Sequence, residues 1–205
     1  MTAPERLSAS ERAGLHAEAQ RTRILDAAQA AFIADGFHAA TMAGIAARAE
    51  ISAGLIYRYF AGKRDIILAI IDRQLERERA GIAALDANHD IAARLMQLFT
   101  EPGSDRERRM NPALFLETSA EATRDPQVAG AIRASDGILR TEFRAWLARD
   151  KAEGGFGLAP ARAPEVALLL QCVVDGLEVR RAREPELDRA LLESMLADLL
   201  ARLLR

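Results

Sequence analysis

Between Thr41 and Lys63 five side chains stand out for what they can donate: the hydroxyls of Thr41, Ser52 and Tyr57, the guanidinium of Arg58 and the ammonium of Lys63. No nucleophile is paired with a base here, and no metal-ligand spacing appears. What the set shares is the capacity to give hydrogen bonds to anionic oxygen. The stretch "ISAGLIYRYF", Ile51 to Phe60, places three aromatic rings in a chain that is 5% aromatic overall. Around it, from Thr41 to Arg64, the cations Arg48, Arg58, Lys63 and Arg64 meet the single carboxylate Glu50, although the whole chain has a net charge of -2. Positive charge is concentrated on one short segment of a mildly acidic protein. An anionic partner met by one small surface is the implication.

Those side chains need short helices to hold them. Thr41 suits an N-cap, followed by an apolar stripe of Met42, Ile45 and Ala46; Ser52 suits a second, with Leu55, Ile56 and Tyr59 or Phe60 turned inward. Two such helices joined by a few residues make a helix-turn-helix. Ala46 must be small where the second helix crosses the first, and Ile51 and Ile56 fill the gap. Neither helix is stable alone at this length. The preceding "RTRILDAAQAAFIADGF" supplies a third, with Ile24, Ala27, Ala28, Ala31 and Phe32 on one face and Gly36 at its end. At the start of the second helix Ser52, Ala53, Gly54 and Leu55 offer backbone N–H groups and small side chains that can enter a major groove. Tyr57 and Arg58 lie on other faces and are free for phosphate oxygens.

From Thr22 to Leu68 the sequence resembles the DNA-binding domain of the TetR/AcrR family of one-component transcriptional regulators. The resemblance rests on Phe32, Gly36, Thr41, Ile45, Ala46, Ser52, Gly54, Tyr57, Phe60 and Lys63, all in register. It implies that Thr41 and Lys63 clamp the DNA backbone on either side of the recognition helix. It also implies a homodimer built through the last two helices, reading a palindromic operator, and a small-molecule effector that changes the spacing of the two heads. Glu50 departs from the family pattern, because glycine is usual there. A left-handed, strained turn is expected, costing about 1 kcal/mol relative to glycine.

The rest of the chain is helical by composition. Half of the 205 residues are apolar and 28% are charged, and β-branched alternation is absent, so the expected fold class is all-α, with about nine helices. They are expected near 18–35, 42–49, 53–60, 63–85, 90–100, 112–123, 126–150, 164–183 and 186–204, with a capping-box spacing at Ser104–Glu107 and a Gly/Pro-rich loop from Glu153 to Pro164. The expected domains are a flexible N-terminal arm (1–20), whose Arg6, Arg12, Arg21 and Arg23 alternate with acids, a helix-turn-helix domain (21–65) and an effector-binding and dimerisation domain (66–205).

In that last domain Val166, Leu169, Leu170, Val173 and Leu177, with Leu192, Met195, Leu196 and Leu199, form stripes wide enough for a four-helix interface between two copies. Met96, Phe99, Met110, Phe115, Phe143 and Trp146 suit an effector pocket and equally a core; Glu117 and Arg144 are ionisable groups in apolar helices that could orient a polar ligand. Cys172, set among leucines and valines, reads as a small buried hydrophobe. His16, His38 and His89 are isolated, and "GGFG" follows a helix rather than a strand, so no metal site, cofactor site or catalytic motif is expected. The longest apolar run is too short to span a membrane, and a cytoplasmic location follows. The function expected is a ligand-responsive, sequence-specific DNA-binding regulator, most simply a repressor. Alternatives are a helical ligand carrier or enzyme without specific DNA binding, and a nucleoid-type binder that ignores sequence.

Overall fold

The computed structural model describes residues 8–86, 91 and 111–204. Among them are eight α-helices, one short 3-10 turn and no strand. The chain divides into two compact units, Met1–Ile70 and Ile71–Arg205.

Helix α1 (Ala9–Ala39) opens the first unit. It begins well before residue 18, so residues 9–20 are its first turns rather than a flexible arm. The reason is a capping box: the Glu11 N–H donates to Ser8 Oγ at 3.2 Å, and the Ser8 N–H donates to Glu11 Oε2 at 2.7 Å. Those hydrogen bonds also lower the Glu11 pKa. Gly36 then breaks the helix at φ 78 and ψ 158, a region that only glycine enters without strain. Helices α2 (Met42–Arg48), α3 (Ala53–Tyr59) and α4 (Lys63–Ala83) follow. Ile24, Leu25, Ala28, Phe32, Ile45, Ile56 and Ile66 are all but inaccessible to solvent. The three-helix arrangement is therefore held by burial rather than by helix propensity.

In the second unit α5 (Pro112–Ala122) and α6 (Pro126–Ala148) each start on an Asn-Pro or Asp-Pro step. Asn111 Oδ1 accepts from the Ala113 N–H at 2.9 Å and Asp125 Oδ1 from the Gln127 N–H at 2.8 Å. Helix α7 (Ala163–Arg183) packs against both. Helix α8 (Arg189–Leu203) starts later than residue 186, because Asp188 Oδ1 accepts from the Ala190 N–H at 2.9 Å while Glu184-Pro185 supplies no cap. Two side chains tie elements together: Arg79 Nε donates to Glu142 Oε1 at 2.8 Å, and Arg162 Nη2 donates to the Leu203 carbonyl at 2.9 Å.

The Gly-rich loop after α6 folds back over that helix. The Phe156 and Leu158 N–H groups donate to the carbonyls of Trp146 and Leu147 at 3.1 and 2.8 Å. Gly155 is obligatory there, since a Cβ would lie 2.2 Å from the Arg149 carbonyl oxygen.

Several expectations for this unit change. Val166, Leu170, Leu177, Leu192 and Leu196 are buried within this unit's own core, together with Trp146, Leu147 and Leu200. A stripe this wide covers its own core first and leaves an outer edge. That edge is Leu168, Leu169, Leu191 and Met195, all exposed, with Val173 and Leu199 half-buried beside it. Cys172 is exposed rather than buried. Ile91 is helical and buried; the remainder of the helix expected over 90–100, the Ser104–Glu107 capping box, and Met96, Phe99 and Met110 lie outside the described residues.

Candidate nucleic-acid interface and ligand cavity

Both caps of the helix-turn-helix are in place. Thr41 Oγ1 accepts from the Gly44 N–H at 3.0 Å, and Ser52 Oγ accepts from the Leu55 N–H at 3.2 Å. Between them the chain turns through Glu50 at φ 55. The Glu50 N–H donates to the Ala47 carbonyl and the Ile51 N–H to the Ala46 carbonyl, at 3.1 and 3.0 Å. This is a Schellman motif with glutamate in the left-handed position. Arg23 Nη2 donates to the Glu50 carbonyl at 3.2 Å and steadies the turn from α1. So the strain expected at Glu50 is present, and a cation offsets part of it.

Along α3 the inward side is Ile56, with Phe60 buried just beyond the helix and Tyr59 half-buried. Ser52, Ala53, Gly54, Tyr57 and Arg58 are exposed, and Leu55 is half-buried. Tyr57 keeps 57% of its surface open to solvent, unusual for a tyrosine with a core beside it. A Cβ added at Gly54 would meet nothing within 4 Å. The fold does not ask for glycine there, whereas a close-approaching partner would.

Lys63 is partly engaged within the fold. Its Nζ donates to the carbonyls of Phe37 and His38 at 2.6 and 2.9 Å and lies 4.9 Å from the Phe37 ring centroid. Two of its three protons therefore fasten the end of α1 to the start of α4. Arg21 also turns inward, with its guanidinium 5.4 Å from the Phe60 ring centroid. Arg48 pairs with Asp35 at 3.1 Å. Arg58 is exposed and makes no ion pair among the described residues.

The second unit contains a cavity of about 800 Å³ bordered by α4, α5, α6 and α7 together with Ala84, Leu85 and Ile91, and open on one side. Of the effector-pocket candidates among the described residues, Phe115 and Phe143 line it; Glu117, Arg144 and Trp146 do not. Trp146 is buried in the core, stacked on Phe143 at a centroid distance of 5.5 Å and near Phe156 at 5.7 Å. Arg144 is exposed and Glu117 is half-buried away from the cavity. The polar lining includes the acids and amides Gln74, Glu78, Asp136, Gln171, Asp175 and Glu178, the cations Arg77 and Arg140, and the hydroxyls of Thr118, Ser119 and Ser135. Glu78 keeps an exposed surface, yet the protein around its carboxyl raises its pKa by desolvation, and Asp136, Glu178 and Asp175 raise it further. Asp136 and Asp175 are likewise raised, first by desolvation.

The profile of the bacterial regulatory proteins of the tetR family matches residues 24–70, the three-helix unit just described, and that of the BetI-type transcriptional repressor C-terminal domain matches residues 91–205. The chain belongs to the TetR family. This TetR-family protein is 35% identical over 143 residues to the HTH-type transcriptional regulator UidR of Escherichia coli K12, covering 68% of its own length and 69% of the relative's. It is 36% identical over 87 residues to the HTH-type transcriptional repressor KstR of Mycolicibacterium smegmatis, covering 42% and 39%. Salmonella enterica GusR has a similar structure, with a TM-score of 0.66 at 26% identity over 89% of this chain and 95% of that one. The regulator is a DNA-binding transcription factor and not an enzyme, and no described helix is long and apolar enough to cross a membrane.

Sequence reasoning about this regulator missed the cavity's polar set for a definable reason. Gln74 and Glu78 are four apart, as are Asp136 and Arg140, and Gln171, Asp175 and Glu178 follow at four and three. Such spacings put each group on one helical face. On an isolated helix that face reads as solvated; packing turns it toward a shared void.

Proposed function

We propose that this protein is a homodimeric repressor that leaves a palindromic operator when a small molecule fills the cavity of its second unit. Thr41, Ser52, Ala53, Gly54, Leu55, Tyr57 and Arg58 are the DNA-facing set. Lys63 belongs with them as the residue that holds the end of α1 against α4, with its remaining proton available to a phosphate. Few long hydrogen-bonding side chains point outward from α3, so sequence preference rests on Arg58, on contacts with thymine methyl groups and on DNA shape. The outer edge formed by Leu168, Leu169, Leu191 and Met195 is the face that meets the second copy; exposed apolar side chains grouped on two helices favour an isologous contact. Two heads related by a two-fold axis then read two half-sites.

Release follows from linkage. A ligand lowers operator affinity only by its differential affinity for the two states of the dimer. Helix α4 is continuous from Lys63 past Glu78, so a group that holds the head and a group that lines the cavity share one helix. The observation carrying this reading is the exposed, capped α3 with Tyr57, Arg58 and an unobstructed Gly54, in a chain of this family. Selection from random duplexes at fixed near-physiological salt tests it. A palindrome enriched by the native protein and lost with Tyr57→Ala/Arg58→Ala is the expected outcome; equal retention of all sequences would remove the specific-regulator reading.

A further inference from the structure

The cavity's charge is lopsided in a way that specifies what can enter it. Four carboxylates line it from three helices: Glu78 on α4, Asp136 on α6, and Asp175 and Glu178 on α7. Two are already answered. Glu178 holds Arg181 Nη1 through both oxygens at 3.0 Å, and Asp136 has Arg140 beside it and a hydrogen bond from Gln171. Among the described residues, no cation is among the charges that act on Glu78. Its hydrogen bond comes from the neutral Gln74 amide at 2.8 Å, and the charges that reach it are those of Asp136, Glu178 and Asp175, all of its own sign. Asp175 likewise has Asp136 as its charged neighbour.

A second, independent feature points the same way. Gln171 Oε1 is buried with no hydrogen-bond donor among the described residues. An orphaned acceptor inside a protein is costly, and here the Gln171 amide, which lines the cavity, gains a donor by turning toward a ligand in it. The remaining wall carries the apolar Ile82, Leu85, Phe115, Leu139 and Phe143, the hydroxyls of Thr118, Ser119 and Ser135, and the cations Arg77 and Arg140, the second of them already beside Asp136. A volume of about 800 Å³ lies in the range that takes a drug-sized molecule.

We propose that the ligand of this cavity is a protonated amine carrying N–H donors on an apolar body, its ammonium set between Glu78, Asp175 and the Gln171 carbonyl. The assignment rests on the reading of the cavity as the effector site and names the chemical class it accepts. An anionic ligand would meet four carboxylates against two arginines, Arg77 and Arg140. A quaternary ammonium would answer the charge but give nothing to Gln171 Oε1. A neutral ligand would leave Glu78 facing its own kind.

The test uses the full-length protein and four probes that share a phenylalkyl body: 4-phenylbutylamine, its trimethylammonium analogue, its N-acetyl derivative and 5-phenylpentanoate. Each is titrated calorimetrically and by displacement of an apolar fluorescent dye, on the native protein, on Glu78→Gln and Asp175→Asn, and on the cavity-filling Ala167→Trp. The primary amine is expected to bind roughly ten-fold or more tightly than the other three, as a charge-assisted hydrogen bond implies. Glu78→Gln and Asp175→Asn should each shrink that preference while leaving the N-acetyl derivative unchanged. Equal or tighter binding by any other member of the set overturns the assignment to a protonated amine and, if Ala167→Trp blocks it, leaves the cavity standing as a ligand site. Dye binding untouched by Ala167→Trp, with no probe bound, overturns both the assignment and the effector-site reading beneath it.

Discussion

In the helix-turn-helix unit, cations that could have been left for DNA are bonded to named acceptors: Arg23 to the Glu50 carbonyl, Arg48 to Asp35, and Lys63 to the Phe37 and His38 carbonyls. In the second unit Glu78 sits among like charges, and Gln171 keeps a buried oxygen without a donor. One unit uses its polar groups to fix a shape; the other holds polar groups in reserve. Recognition of DNA needs a rigid display of a few open side chains, so its neighbours must be locked. A ligand site needs interactions that are incomplete until the ligand arrives, and the empty state bears that cost.

That contrast predicts opposite responses to substitution. The largest effect should come from the open side chains of the head. Tyr57→Ala/Arg58→Ala is expected to weaken operator binding by about 2–4 kcal/mol while leaving the midpoint of chemical denaturation within about 0.5 kcal/mol of native. A comparable loss of stability would mean these residues hold the fold and not the DNA. Next is Lys63→Met, which removes two internal hydrogen bonds and should destabilise the protein by about 1–2 kcal/mol. Unchanged stability with weakened DNA binding would return Lys63 to a purely phosphate-facing role.

Glu50→Gly is the reverse case. Relief of the left-handed backbone should stabilise the head by about 1 kcal/mol, readable as a higher melting temperature. A fall instead would show that the glutamate side chain contributes more than its backbone costs.

The subtlest prediction concerns the cavity and pH. A carboxyl whose pKa is raised by folding binds its proton more tightly in the native state than in the unfolded one. Its penalty is therefore absent below the ordinary Glu78 value of 4.5 and grows as pH rises through the raised value. Asp136 and Asp175, also raised, act in the same direction. Glu78→Gln should accordingly raise the melting temperature at about pH 7, with the gain fading toward about pH 4. A gain independent of pH would point to packing rather than charge.

Much of the head could be read before any coordinates. Caps at Thr41 and Ser52, the glycine break at Gly36, the strained Glu50 and the inward Ile45, Ile56 and Phe60 all lie close in sequence to what they act on. Local physics decides them: a cap bonds an N–H two or three residues away, and a left-handed turn follows from the chain around it. Even the start of α1 was encoded locally, in the Ser8–Glu11 box, although the alternating charges after it suggest a tail.

What the sequence could not decide by itself was direction. Val166, Leu170, Leu177, Leu192 and Leu196 differ from Leu168, Leu169, Leu191 and Met195 only in which side of their helices meets this unit's own core, and that depends on how α7 and α8 are packed. The same holds for Lys63, whose acceptors lie 26 and 25 residues away, and for Glu78, Asp136, Gln171 and Asp175, which are scattered over three helices. The sequence determined most of the helices, the caps that begin them and the side chains that α3 leaves exposed. Only the tertiary packing gathered four carboxylates and an unsatisfied amide around one void, because a cavity is a property of facing helices and of no single one.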